Sequence, residues 1–343
     1  MIFCGTTLLP GERKNVPLPV PDAPPLNAIC LCGAARGRTL VVTGGVHGCE
    51  YVGPQALRRL AGELDPARLS GNVILLPLAN PSAFYAGAKQ VVPEDGVNLN
   101  RAFPGDSAGS LSARFAFALE TALYPEADLL ADLHSGDCNE ALHPLVFFPT
   151  AGEEMVNQVS LAAAKVLTVP YRVRSTAKNG LYSWAVQRGV PALLIERGGQ
   201  GLWSEQEVDA CCEDVRSLLR HLEIMPGGNP PRDQLEITET FYAEAESEGF
   251  WYPAVGLDQQ VRRGELLGHL ETLSGHRLQE VRAEFDGIVL YYTIALGVRA
   301  DTTLLDQLRE KYPLEVQSAG DVDGGANLYD ATHSAHFAAL RIL

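Results

Sequence analysis

An α/β sheet flanked by helices, followed by a smaller all-β module, is the fold class this sequence predicts. Three observations carry that expectation. Over residues 26–222, apolar and β-branched runs alternate with segments whose apolar positions recur at helical spacing, the pattern of strands separated by helices. Residues 225–233 (MPGGNPPRD) then concentrate proline and glycine, as a linker does. Beyond them the texture turns to short strands and glycine-punctuated turns. The expected division is a first domain over 1–224, a linker over 225–233, a β-rich domain over 234–305 and a tail over 306–343 without assignment.

In chain order, residues 17–25 (PLPVPDAPP) are proline-rich and extended, a surface arm rather than a core element. Residues 26–32 and 39–45 read as strands. Residues 53–64 read as a helix with Leu57, Leu60, Ala61 and Leu64 on one face. The continuous apolar run 72–79 is a strand of the kind buried on both faces. A helix follows over 110–123, with Ser110 or Ser112 as N-cap. Then come strands over 128–133 and 145–148, a helix over 153–167, a strand over 190–195 and a helix over 205–222. The β-rich module offers strands at 236–245, 249–255, 265–271 and 287–294. In the tail, 320–325 reads as a loop and 335–343 as a short helix or strand.

Composition excludes several classes of function. The 343 residues carry 27 Lys+Arg against 42 Asp+Glu, a formal net charge of −15, and 46% are hydrophobic. That is ample material for a buried core. No Lys/Arg cluster appears, which argues against nucleic acid or an anionic membrane as the main partner. No apolar run approaches the roughly 20 residues of a spanning helix, and residues 1–14 lack the basic start and long apolar stretch of a signal peptide. Seven cysteines, odd in number and without framework spacing, read as reduced thiols in a cytoplasmic protein.

Four features lie where predicted strands end or in loops between elements, and ligands of open α/β sheets gather beyond the carboxyl ends of the strands. In Gly44-Gly45-Val46-His47-Gly48-Cys49-Glu50, a histidine and a carboxylate three residues apart can converge on one cation because Gly48 loosens the backbone. Asp132-Leu133-His134-Ser135-Gly136 supplies a second histidine. Two imidazoles and one carboxylate are the ligand set of a catalytic zinc with one position open; the competing reading is a pair of hydrogen-bonded strand-end histidines. Asn98-Leu99-Asn100-Arg101-Ala102-Phe103-Pro104-Gly105 offers amide donors and a guanidinium fork suited to a carboxylate, or simply a solvated loop arginine. Glu196, closing a strand and followed by Arg197-Gly198-Gly199, is placed as a general base, or else as an ion-paired or capping residue.

Taken together and in this order, GGVHGCE, NLNRAFPG, DLHSG and the late strand-end glutamate resemble the succinylglutamate desuccinylase/aspartoacylase family, a branch of the zinc carboxypeptidase clan. The resemblance covers about residues 26–222 and extends to the β module, which contains no lysine in the turn a lipoyl carrier would use. It implies a zinc-carboxypeptidase-like mixed sheet flanked by helices and a barrel-sandwich-like C-terminal domain. It implies one Zn2+ per chain on His47, Glu50 and His134, a substrate carboxylate on Asn100 and Arg101, and Glu196 as general acid/base. Family relatives often carry an arginine before the Pro-x-Asp-Gly turn; here that stretch holds Lys89, a cation without the planar fork. Asp132 is placed to orient His134, and Tyr182, Tyr252, Tyr291 and Tyr292 compete for the tyrosine that the clan brings to its site.

The activity implied is zinc-dependent hydrolysis of the N-acyl amide of a small carboxylate-bearing amino-acid derivative, with the β module narrowing the entrance. Homo-oligomeric assembly is the expectation for such an enzyme. A metallocarboxypeptidase acting on short peptides is the neighbouring alternative. A non-catalytic small-molecule-binding protein that retains the zinc site is the alternative of another class.

Overall fold

The computed structural model describes residues 1–310 of the chain. Contacts divide it into two units, Met1–Leu235 and a second that begins at Glu236. The first unit opens with the hairpin β1 (Ile2–Phe3) and β2 (Thr6–Thr7), then runs β3 (Arg13–Val20), β4 (Ala23–Cys32), β5 (Ala35–Gly44), α1 (Val52–Glu63), β6 (Ser70–Leu76) and α2 (Pro81–Ala86). It continues with α3 (Leu111–Leu123), β7 (Leu129–His134), β8 (Glu140–Leu142), β9 (Leu145–Pro149), α4 (Glu154–Ala164), β10 (Tyr171–Ser175), α5 (Leu181–Gln187), β11 (Ala192–Glu196) and α6 (Glu205–His221).

The main sheet of this unit has the order β10-β9-β11-β7-β5-β6-β4-β3. Its centre is parallel, β6 on β5, β5 on β7 and β7 on β11, so the carboxyl ends of β5, β7 and β11 lie side by side. The flanks carry antiparallel pairs, β9 on β11, β4 on β6 and β3 on β4, which makes the sheet mixed. Alternation along the central strands sorts their side chains onto two cores. Val41, Leu130 and Leu194 join Phe115 and Leu119 of α3 and Leu181 and Ala185 of α5 on one face. Leu40, Val42, Ala131, Leu133, Leu193 and Ile195 join Leu57 and Leu60 of α1 and Val208, Cys211 and Val215 of α6 on the other.

The expected surface arm over 17–25 is wrong. It falls within β3 and β4, where Val16 and Leu18 are fully buried while Pro17 and Pro19 between them are exposed. Because β3 is the outer strand of this sheet, it has an open side where missing N–H groups cost no ladder bond. The period-2 alternation of Val16, Leu18 and Val20 was the signal, hidden by the prolines. Periodicity also missed α2 and α5, which are too short to repeat a pattern, and β10, whose run YRVRS alternates its two buried residues with arginines.

The second unit is all β. It holds β12 (Leu235–Glu244), β13 (Gly249–Pro253), β14 (Gln260–Val261), β15 (Leu266–Glu271), β16 (Arg277–Arg282), β17 (Gly287–Thr293), β18 (Gly297–Val298) and β19 (Thr303–Glu310). They run β14-β17-β19-β12 in one sheet and β16-β15-β13-β18 in another. Trp251, Leu267, Leu270, Val289 and Leu304 fill the core. A Cβ on Gly268 would fall 2.2 Å from the Trp251 ring, so only glycine fits there. The expected loop at 320–325 and the helix or strand at 335–343 lie outside the described residues. No helix among the described residues is long and apolar enough to cross a membrane.

Candidate active site

The three parallel strand ends bring together residues far apart in sequence. His134 closes β7 and Glu196 closes β11, and the two are direct partners in the ladder. By alternation both face the same side of the sheet as Asp132 and Leu194. His47 and Glu50 come from the turn between β5 and α1. That turn is held close to its neighbours: a Cβ on Gly48 would lie 2.1 Å from the Ala83 carbonyl oxygen, and one on Gly53 would lie 2.9 Å from Leu133 Cβ. These glycines are steric necessities, and the freedom expected of Gly48 is secondary to its size.

His47, Glu50 and His134 form one buried cluster whose ligand atoms all lie within 4.8 Å of one another. His47 Nδ1 sits 2.6 Å from Glu50 Oε1, and His134 Nδ1 sits 2.9 Å from Glu50 Oε2. The other ring nitrogens decide what these contacts mean. Asn98 Oδ1 accepts the Asn100 backbone N–H at 2.8 Å, so it is the oxygen, and His47 Nε2 at 3.1 Å must donate to it. His134 Nε2 donates to Asp132 Oδ2 at 3.0 Å, while the Thr43 hydroxyl holds Asp132 Oδ1 at 2.7 Å. Both Nδ1 lone pairs therefore aim at carboxylate oxygens. Such a trio of acceptors is satisfied only by protons or by one shared cation, and its donor set suits zinc.

The electrostatics follow from this crowding. Burial alone would raise the Glu50 carboxyl, but His47 and His134 outweigh it and hold the pKa at about 2. Burial opposes charge on His134, yet the Asp132 and Glu50 carboxylates raise its pKa well above the ordinary histidine value. Glu196 shows the opposite balance. Burial, with Glu50, Glu140 and Asp132 adding to it against His134, pushes its carboxyl up to about 8. Its Oε2 is buried with no hydrogen-bond partner among the described residues.

The remaining expected residues are more dispersed. Asn100 is buried, and its Oδ1 accepts the Leu181 N–H at 2.8 Å, spending that oxygen on the start of α5. Arg101 is exposed, with Nη1 donating to the Asn100 carbonyl at 2.8 Å. The Lys89 ammonium lies 2.9 Å from Oδ2 of the fully buried Asp137, which also accepts Gln90 Nε2 at 3.2 Å, so much of its charge is already matched. The Tyr182 hydroxyl is 2.5 Å from Ser175 Oγ. Asn98 and Thr43, which orient the cluster through His47 and Asp132, had no assigned role in the sequence. The Asn98–Asn100 spacing, which lets a side-chain oxygen accept the N–H two residues on, was the available hint.

Residues 36–222 match the model of the succinylglutamate desuccinylase/aspartoacylase catalytic domain. An N-alpha-acetyl-L-2,4-diaminobutyric acid deacetylase from Halomonas elongata is 30% identical over 279 residues, 78% of this chain and 81% of that protein. The product-bound structure of the ectoine utilization protein EutE (DoeB) from Ruegeria pomeroyi superposes with a TM-score of 0.78 at 26% identity, covering 88% of this chain and 97% of that one. An aspartoacylase family protein from Mesorhizobium loti gives a TM-score of 0.76 at 27% identity, over 89% and 96% of the two chains.

Proposed function

Because the chain belongs to the succinylglutamate desuccinylase/aspartoacylase family, we propose that it is a zinc-dependent deacylase of small carboxylate-bearing N-acyl amino acids. The observation that carries this reading is the convergence of His47, Glu50 and His134 beside a buried Glu196 oxygen that has no hydrogen-bond partner among the described residues. His47, Glu50 and His134 would hold the zinc ion. A bound zinc supplies charge stabilisation for the attacked carbonyl oxygen and lowers the pKa of water from about 15.7 toward roughly 7. Glu196 takes the proton from the attacking water on its unpartnered Oε2 and returns it to the departing amine, which leaves poorly without it. Burial helps the return step, because it favours the protonated carboxyl. Arg101, beside Asn100, binds the substrate carboxylate and fixes the amide over the site. Lys89 adds a cation near the developing oxyanion, weakened by its pairing with Asp137.

The Halomonas relative makes an N-acetyl diamino acid the first substrate to test. Cysteines 4, 30, 32, 49, 138, 211 and 212 are all free thiols, which supports a reducing compartment, the cytoplasm. The test is free-amine release from N-acetyl and N-succinyl amino acids, N-acetyl-2,4-diaminobutyrate included, with a short peptide as control. Each assay is run before and after chelation and zinc restoration. Chelator-sensitive release from one N-acyl amino acid is expected. Release from the peptide alone makes the protein a carboxypeptidase, and silence from a zinc-loaded protein across a broad panel points to a binder.

A further inference from the structure

The residue that follows Glu196 carries a second buried charge cluster on the opposite face of the sheet. Arg197 is 5% exposed and Asp214, on α6, is fully buried. Arg197 Nε donates to Asp214 Oδ2 at 2.5 Å, and Nη2 donates to Thr168 Oγ1 at 2.5 Å. Asp214 Oδ1 accepts the Thr168 N–H at 2.6 Å and the Thr168 hydroxyl at 2.8 Å, so both oxygens of the carboxylate are used. Glu207 lies farther out, 3.8 Å from Arg197 Nη1. The same stretch of backbone is tied toward the metal cluster: Arg197 N–H donates to the His134 carbonyl at 3.1 Å, and the Gly198 carbonyl accepts Gly136 N–H at 3.0 Å.

A buried ion pair is a poor device for stability alone, because apolar residues of similar volume fill such a place without desolvating two charges. What the pair supplies is direction. A guanidinium bonded to two partners fixes both the height and the rotation of the strand end, as a greasy contact does not. Alternation then transmits that setting to the neighbouring side chain, which points the other way, toward His134.

We propose that Arg197 and Asp214 are positioning residues for Glu196, clamping the end of β11 so that its carboxylate meets the substrate beside His134. This inference rests on the reading of Glu196 as the proton carrier. Two variants test it. Arg197→Lys keeps the charge and loses the fork; the double variant Arg197→Met with Asp214→Leu replaces the pair by apolar residues. The double variant is expected to melt close to the wild type and to bind zinc equally. In both variants KM should stay within about threefold, while kcat falls by roughly 10- to 100-fold, as misplacement by about 1 Å can cause.

Recovery of both melting temperature and kcat in the double variant overturns the proposal, because the pair would then be packing only. A fall in kcat matched by zinc loss in both variants overturns it as well. If the wild type hydrolyses no acyl amide, the functional reading fails separately. The crystal structure of Arg197→Lys then decides the clamp: a Glu196 carboxylate displaced from its place beside His134 supports it, and an unmoved one refutes it.

Discussion

Two buried polar clusters share the end of β11, one on each face of the sheet, and they are built on opposite principles. On one face, Arg197, Asp214 and Thr168 satisfy one another, with charge matched to charge and both oxygens of the carboxylate bonded. On the other, His47 and His134 set their Nδ1 atoms against Glu50, contacts that need either protons or one shared cation, and Glu196 keeps a buried oxygen without a hydrogen-bond partner among the described residues. Folding alone gains nothing from the second arrangement, since an unpaired buried polar group costs about 1–3 kcal/mol. The cost makes sense if a ligand completes the site. A buried polar group that the protein leaves unfinished is therefore a better mark of function than burial or charge alone.

The difference can be broken most sharply at the cluster itself. His134→Ala removes one of three ligands, so zinc content measured by atomic absorption and amide hydrolysis should both vanish. Retention of full activity with no bound zinc would undo the metal reading of the unfinished cluster.

Glu196→Gln should separate chemistry from metal binding. Turnover is expected to fall by about 10²–10⁴-fold, the range that a general acid/base contributes, at unchanged zinc stoichiometry. The same variant should stabilise the zinc-free protein at alkaline pH. The folded-state pKa of Glu196 is raised to about 8 from an ordinary 4.5, so its share of stability is fully present below about 4.5 and is lost as pH rises through about 8. Glutamine escapes that loss. Melting curves of the two zinc-free proteins should coincide near pH 4.5 and diverge toward pH 8 in favour of the variant. Arg197→Met is expected to do the reverse at neutral pH, losing about 3–5 kcal/mol by stranding the Asp214 carboxylate.

Arg101→Ala should act on binding more than on chemistry. Its guanidinium leans on the Asn100 carbonyl, exposed and available to a carboxylate. Loss of a charge-assisted bond of about 1.5–3 kcal/mol predicts a kcat/KM lower by roughly 10- to 100-fold. The loss should disappear when the substrate carboxylate is replaced by an amide; an equal loss for both substrates would remove Arg101 from recognition.

Lys89→Met should have the smallest effect on catalysis, a fall in kcat/KM below about tenfold, because Asp137 already offsets the ammonium. Its melting temperature should drop more noticeably, since Asp137 is fully buried and keeps only neutral donors. A catalytic loss as large as that of Glu196→Gln would move Lys89 from the satisfied group to the unfinished one.

Much of this comparison was legible in the chain. Apolar and β-branched runs located β5, β7 and β11, and strand ends in an α/β sheet are where ligand chemistry collects. That brought His47, Glu50, His134 and Glu196 into view, and the i, i+2 spacing of Asp132 and His134 set both on one face. Prolines hid β3, because their meaning depends on whether a strand is at the edge of its sheet, a property of the whole sheet. Helices as short as α2 and α5 left no periodic trace.

The sequence by itself determined the kinds of donor, their places at strand ends and the motif order that marks the family. These are local facts, carried by residue chemistry and by repeats of two or 3.6 residues. Only the tertiary structure decided that Asn98 Oδ1 holds the far nitrogen of His47, that Asn100 spends its oxygen on α5, that Lys89 is matched by Asp137, and that Arg197 turns to α6. Each of these partners lies outside the local repeat or across a loop. Hydrogen bonds and ion pairs depend on distances of a few tenths of an ångström between groups that the chain brings together only when the sheet closes.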